Sequence, residues 1–201
     1  MLQSRLTPVV KNLLIINGIV FLATSLIPAM NRFMGTYCAL FQIEHPLFHS
    51  YQFFTYMFLH ASLSHLFFNM FALWMFGQVF EYEVGSRRFL FYYLTCGVGA
   101  AFIQMIVASL TGEYYFSMVG ASGAVMGLLL AFGVLHPNEP MFIFFIPVPI
   151  KAKWVVIGYA VIELLEGMHA GSQIAHFAHI GGMLWGLIIL LYWKKKGTIY
   201  F

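Results

Sequence analysis

Long apolar stretches separated by short polar ones make up most of the chain. Six of them approach the roughly 20 mostly apolar residues that a helix needs to cross a bilayer. They cover about residues 10–30, 62–80, 88–110, 120–135, 153–168 and 176–193. Several are short or interrupted by Gly, His or Asn, which is tolerable when neighbouring helices shield the segment. The pattern predicts an all-α membrane protein, with residues 1–201 forming one compact bundle of six transmembrane helices.

Composition supports lipid as the solvent. The chain is 61% hydrophobic and 8% charged, whereas soluble domains carry about 25% charged residues. The net charge of +3 comes from basic residues beside apolar stretches, so it does not indicate nucleic-acid binding. Cys38 and Cys96 make no disulfide framework, and we expect both to be unpaired. The first apolar stretch has no small-residue cleavage site after it, so we do not interpret it as a removed signal peptide.

The basic residues predict an orientation. With six helices, all of the 10 Lys and Arg except Arg32 fall on the same side of the membrane. Cytoplasmic segments are enriched in Lys and Arg, so both termini are expected in the cytoplasm. An odd number of helices would scatter these charges over both sides.

Three connecting segments carry expectations of their own. Segment 31–61, on the outer side, is rich in Phe, Tyr and Leu and is expected to lie partly in the interface with short helical turns. Segment 137–152 is apolar with several prolines and is expected along the inner interface. Segment 169–175 is short enough to act as a lid.

Polar residues inside apolar stretches are costly in lipid, so each is a functional hypothesis. His65 and Asn69 are four residues apart and share one face of the second helix. Ser122 begins the fourth helix, and His176 and His179 begin the sixth. These three helices all run inward from the outer surface, so the residues are expected at one depth just below it.

Small residues predict which helices touch. They lie at Gly120, Gly123 and Gly127 in the fourth helix and at Ala178, Gly182 and Gly186 in the sixth. Such spacing allows membrane helices to approach closely. Close approach would bring the hydroxyl of Ser122 to the imidazole of His179, a base able to take the serine proton.

Each feature alone has a simpler explanation. A membrane serine often bonds its own helix backbone, and a His–Asn pair is often an interhelical hydrogen bond. His176 and His179 are spaced so that they could bind one metal ion. Glu163 and Glu166, near the outer end of the fifth helix, are interpreted as polar packing or interface residues, or otherwise as parts of a gate. The combination at one depth is what favours a reactive site.

Three motifs make the resemblance specific. Residues 60–69 read His-Ala-Ser-Leu-Ser-His-Leu-Phe-Phe-Asn, similar to the His…His-x-x-x-Asn motif of the rhomboid intramembrane proteases. Gly120-x-Ser122-Gly123 resembles that family's nucleophile motif, and Ala178-His179-x-x-Gly182 resembles the motif of its last core helix. The resemblance covers about residues 10–195 and is closest to the short bacterial type with six helices.

The resemblance implies an intramembrane serine endopeptidase that cleaves transmembrane segments of other membrane proteins. Ser122 would be the nucleophile and His179 the general base, while the side chains of His65 and Asn69, with the Ser122 backbone N–H, would stabilise the oxyanion. The supporting residues would be Gly120, Gly123, Gly182, His60 and His176. It implies no cofactor or metal, a bacterial inner membrane as the location, and membrane-spanning proteins and the bilayer as partners, and it leaves the oligomeric state open.

The sequence narrows the alternatives. It contains no Asp, which excludes a Ser-His-Asp triad and an aspartyl protease, and it contains no His-Glu-x-x-His zinc motif. It departs from the family at Met126, where an aromatic residue is common, and at Tyr51-Gln52, where Trp-Arg is common. Two other functions remain open. One is a catalytically inactive rhomboid-like protein that binds clients; the other is a small transporter, whose polar residues should run through the bilayer.

Overall fold

The computed structural model describes residues 6–112, 116–142, 148–168 and 175–201, and most of them are helical. The helices are α1 (Pro8–Leu26), α2 (Pro28–Tyr37), α3 (Gln52–Thr55), α4 (Leu63–Ala72), α5 (Gln78–Val84), α6 (Ser86–Thr111), α7 (Ser122–Leu135), α8 (Ala152–Gly167) and α9 (His176–Lys195). A 3-10 turn at Tyr56–Phe58 follows α3, and a π turn at Leu73–Gly77 joins α4 to α5. Two antiparallel pairs of two-residue strands complete the described structure: β1 (Leu40–Phe41) with β2 (Ser117–Met118), and β3 (Pro140–Met141) with β4 (Ile150–Lys151).

Several of these helices suit a lipid environment. Pro8–Leu26, Leu63–Val84, Ser86–Thr111 and His176–Lys195 are long and apolar enough to cross a membrane, and Ser122–Leu135 is a shorter apolar helix. The fifth predicted span corresponds to α8, which has 16 residues. These helices confirm the predicted all-α membrane bundle. Six crossings, a single domain and cytoplasmic termini stay predictions.

The first predicted span is too long at its C-terminal end. It was expected to cover about residues 10–30, but α1 ends at Leu26 and a separate helix begins at Pro28. A residue before proline is pushed out of the helical conformation. Ile27 accordingly has an extended backbone with φ −118° and ψ 101°.

Segment 31–61 contains the short helical turns that its composition suggested, and two buried glutamines hold it in place. Gln52 is fully buried, and its Nε2 donates to the carbonyls of Leu47, at 2.7 Å, and Tyr37, at 3.2 Å. The side chain of Gln42 reaches α6, where its Nε2 donates to Ser109 Oγ at 2.6 Å. A polar anchor at Gln52 therefore holds this segment where the family often has Trp-Arg.

Helices α6, α7 and α9 pack at the centre of the bundle through glycines. A Cβ added to Gly182 would overlap the carbonyl oxygen of Gly123. One turn further along α7, a Cβ at Gly127 would lie 2.6 Å from Cys96 Sγ of α6. Tyr92 Oη fills the gap beside them and donates to the Gly127 carbonyl at 2.8 Å. The small-residue spacing thus produces the predicted close contact between α7 and α9.

A carboxylate from the second long helix caps the first. The oxygens of Glu81 accept hydrogen bonds from the backbone N–H groups of Val9 and Val10, each at 2.9 Å, and from Ser86 Oγ at 2.6 Å. The first N–H groups of a helix have no partner within it and carry partial positive charge. Glu81 satisfies two of them, which fixes the start of α1 against α5.

Candidate active site

Ser122 begins α7 after a sharp turn that requires glycine. Gly120 has φ +123°, a conformation that side chains other than glycine rarely adopt. Its N–H donates to the Tyr56 carbonyl at 2.9 Å. A Cβ at Gly120 would also lie 2.6 Å from Cε1 and 2.7 Å from Nε2 of His65. Gly120 therefore both aims Ser122 into the bundle and leaves room for an imidazole.

The hydroxyl of Ser122 contacts the imidazole of His179 across the α7–α9 interface. Ser122 Oγ lies 2.8 Å from His179 Nε2. His179 is buried on the first turns of α9, and Ser122 is half-buried. For Nε2 to take the hydroxyl proton, Nδ1 must carry the ring's own hydrogen. The pair has the separation that a nucleophile and its base require.

Glu163 of α8 lies on the other side of the same imidazole. Its Oε2 is 2.9 Å from His179 Nδ1 and 2.7 Å from His176 Nδ1, and the side chain is buried. Of the roles considered for Glu163, polar packing fits, and its partners are the two predicted histidines. Glu166 is exposed on the same helix. The depth argument that found Ser122 and His179, applied to α8, would have placed Glu163 with them.

The two predicted oxyanion residues occupy α4. The ring of His65 lies against Gly120, two residues before Ser122. Asn69 is buried, and its Nδ2 donates to the His65 carbonyl one turn earlier, at 3.0 Å. Ser62 caps the start of α4, and its Oγ accepts the His65 N–H at 3.1 Å. His65 is therefore next to the serine loop, while the amide of Asn69 is engaged within its own helix.

His60 supports His65 from the loop before α4. The two rings meet edge to face with centroids 5.1 Å apart. Burial lowers the pKa of His60 to about 4, and the neighbouring His65 contributes to the shift. His60 is therefore neutral at pH 7 and packs as an aromatic ring. His176, the other predicted supporting histidine, holds Glu163 instead.

The donor atoms of Glu163, His176 and His179 all lie within 4.8 Å of one another, an arrangement that can suit a metal ion. Two ligands bound to one zinc at about 2.0 Å in tetrahedral geometry are about 3.3 Å apart. The contacts of 2.7 and 2.9 Å are shorter than this and fit direct pairing of the carboxylate with the two imidazoles better. The predicted lid at 169–175 lies outside the described residues except for Ala175.

The comparison with family models decides what kind of protein carries this site. Residues 48–196 match the model of the Rhomboid domain. The chain belongs to the rhomboid family. The match includes all three motifs, from His60 to Gly182. Rhomboid proteins are generally serine proteases of membranes, and the Ser122–His179 contact lies within the matched part of this rhomboid chain.

Individual relatives agree. The chain is 32% identical over 145 residues to the human presenilin-associated rhomboid-like protein, mitochondrial, covering 69% of this chain and 38% of that protein. It is 31% identical over 162 residues to rhomboid-like protein 11, chloroplastic, of Arabidopsis thaliana, covering 70% and 51%. It is 30% identical over 141 residues to rhomboid protein 1, mitochondrial, of Saccharomyces cerevisiae, covering 69% and 40%.

The chain thus spans between about two fifths and half of the length of these relatives. Their names place them in mitochondria or chloroplasts, so they do not single out the bacterial membrane expected from the sequence. They support a protein embedded in a membrane and crossing it several times.

Proposed function

We propose that this rhomboid chain is an intramembrane serine endopeptidase that cleaves transmembrane segments of other membrane proteins. The observation that carries the proposal is the 2.8 Å contact between Ser122 Oγ and His179 Nε2. Family membership supplies the setting, because rhomboid proteins act on membrane-protein substrates within the bilayer.

The first chemical step is acylation. Ser122 Oγ attacks the scissile carbonyl carbon while its proton passes to His179 Nε2. The negative charge on the carbonyl oxygen is stabilised by the Ser122 N–H and by side-chain donors of His65 and Asn69, and each such donor contributes about 3 kcal/mol to the transition state. Asn69 has to turn its Nδ2 away from the His65 carbonyl to do so. His179 then gives the proton to the leaving amine.

The second step is hydrolysis of the acyl-enzyme. His179 takes a proton from water, the hydroxide attacks the ester, and the proton returns to Ser122 Oγ. Water must reach the site, which agrees with a position at the helix starts of α7 and α9 rather than at the centre of the bundle. A substrate helix has to unwind locally to expose a peptide bond, so small residues at the cut and helix-weakening residues beyond it are the expected preference.

The proposal also includes a placement. The protein lies in a bacterial inner membrane with both ends of this chain on the cytoplasmic side, and the Ser122 end of α7 faces outward. The position of nine of the 10 basic residues on one side supports this orientation. Reporter fusions after residue 201 and in segment 31–61 should give cytoplasmic and external signals respectively.

Replacement of the nucleophile tests the function. Ser122→Ala is expected to abolish cleavage of a single-span reporter while leaving the protein folded, because no other group takes the place of the attacking oxygen. The measurement is reporter cleavage on co-expression, with melting in detergent to check folding. Ser117→Ala, at an exposed serine five residues earlier, is the matched control and should cleave normally. Undiminished cleavage by Ser122→Ala would exclude the mechanism.

A further inference from the structure

The carboxylate of Glu163 occupies a position that a two-residue mechanism leaves unexplained. It lies in the apolar helix α8 and is only 5% exposed. A buried carboxylate is costly unless it is paired. Its Oε2 approaches two imidazole nitrogens, His176 Nδ1 at 2.7 Å and His179 Nδ1 at 2.9 Å. Among residues 6–112, 116–142, 148–168 and 175–201, no other carboxylate lies within ion-pair distance of His179.

We propose that Glu163 is a positioning residue, which orients His179 and extends the Ser122–His179 pair into a Ser–His–Glu relay. The inference rests on the proposed function of Ser122 and His179. Glu163 would take the place of the third residue of a triad, which cannot be an aspartate because the chain contains none.

The relay follows from the order of atoms. Ser122 Oγ lies 2.8 Å from Nε2, and Glu163 Oε2 lies 2.9 Å from Nδ1 of the same ring. An acceptor at Nδ1 keeps the hydrogen on that nitrogen and the lone pair on Nε2, facing the hydroxyl. When the serine proton moves to Nε2, the ring becomes positive and Glu163 stabilises it. The carboxylate remains ionised throughout, and the proton continues to the leaving amine.

The Nδ1 contact is close in distance, but the two groups are not aligned as a hydrogen bond. Catalytic contacts are often poorly aligned without substrate and tighten when it binds. His176, one turn before His179 on α9, holds the same oxygen at 2.7 Å. That second contact fixes the carboxylate beside the ring and prepares the alignment.

The relay also links three helices. Ser122 and His179 come from α7 and α9, whereas Glu163 comes from α8. The three-residue arrangement is therefore complete only while α8 is packed against α9. Displacement of α8 by an entering substrate helix would change the rate at the base as well as access to it.

The surroundings of the imidazole define what a pH measurement reports. Glu163 faces it from α8, His176 from its own helix and His65 from α4. Tyr159 lies one turn from Glu163 on α8. Removal of the carboxylate charge makes the protonated ring of His179 less stable, so the acidic limb of the kcat profile should move to lower pH.

The test uses the whole chain in detergent or liposomes and compares Glu163→Gln with wild type. The amide keeps the shape of the side chain and removes its charge. We expect kcat to fall by about tenfold to a thousandfold with KM unchanged, and the acidic limb of kcat to move to lower pH. Glu166→Gln, at the exposed glutamate on the same helix, should match wild type in both measurements.

Each outcome decides something. Wild-type kcat and an unmoved acidic limb in a folded Glu163→Gln protein would overturn the relay, and loss of activity in wild type on treatment with EDTA would replace it with a metal site. If Glu163→Gln does not fold, Glu163→Asp decides, because it withdraws the carboxylate by one methylene. A lower kcat with unchanged KM supports the relay, and wild-type kcat overturns it. Absence of cleavage by wild type itself would reject the proposed function and the relay together.

Discussion

Two residues before the serine, the backbone at Gly120 links local conformation to chemistry. Residues other than glycine rarely adopt its φ of +123°. The imidazole of His65 also lies against its Cα and leaves no room for a side chain. The Gly-x-Ser-Gly pattern predicted a nucleophile site here, and the structure adds the turn at Gly120. The contact of Glu163 with His179 could not be predicted in the same way, because in lipid the outward face of a helix is apolar too, so the pattern along α8 does not reveal which side packs inward.

Gly120→Ala tests that turn. The substitution forces a rarely populated backbone conformation, at about 1–3 kcal/mol, and pushes the His65 ring away from the serine loop. We expect a lower melting temperature and at least a tenfold loss of reporter cleavage. Gly18→Ala is the control, since nothing lies within 4 Å of the added carbon in α1. Equal effects of the two substitutions would contradict the role assigned to Gly120.

The buried imidazole of His60 should make the stability of the folded protein depend on pH. Its pKa falls from the ordinary 6.5 to about 4 because of burial. Between these values the unfolded chain binds a proton at His60 and the folded chain does not, so the folded state loses stability as pH falls from 6.5 towards 4. Melting of wild type and His60→Asn across that range should show a smaller acid-induced decrease in the variant. His49→Asn, at an exposed histidine, should follow wild type; an identical slope in all three would contradict the assignment.

At the scale of elements, the spacing of small residues decided which helices touch. Gly123, Gly127 and Gly182 bring α7 and α9 together, and this contact was predictable because a spacing of four residues places small side chains on one helical face. The break between α1 and α2 was missed because both sides of it are apolar and Pro28 reads as a residue within a span. The capping of α1 by Glu81 depends on a tertiary contact that no local pattern encodes.

Gly182→Ala tests the helix contact. The added methyl group overlaps the Gly123 carbonyl, so α7 and α9 must separate, at about 1–3 kcal/mol for overpacking. The separation also pulls His179 from Ser122, and we expect cleavage to fall more than tenfold together with the melting temperature. Gly158→Ala on α8, with nothing within 4 Å, should change neither. Full activity of Gly182→Ala would show that the close approach is not needed.

At the scale of the molecule, the charge-poor composition and the apolar periodicity were enough to predict an all-α membrane bundle. They also placed Ser122, His65 and His179 near one another by depth alone. They could not supply the rotation of each helix about its axis, which is why the engagement of Asn69 within α4 and the contact of Glu163 with His179 came only from the structure.

Covalent labelling tests the central claim, that Ser122 is a nucleophile activated by His179. The protein is treated in detergent with a fluorophosphonate probe, and the modified peptide is identified by mass spectrometry. The account predicts one adduct, on Ser122, which disappears in Ser122→Ala and is strongly reduced in His179→Ala, while Ser117→Ala labels normally. Absence of an adduct on Ser122 in the folded wild-type protein, or equal labelling after His179→Ala, would contradict it.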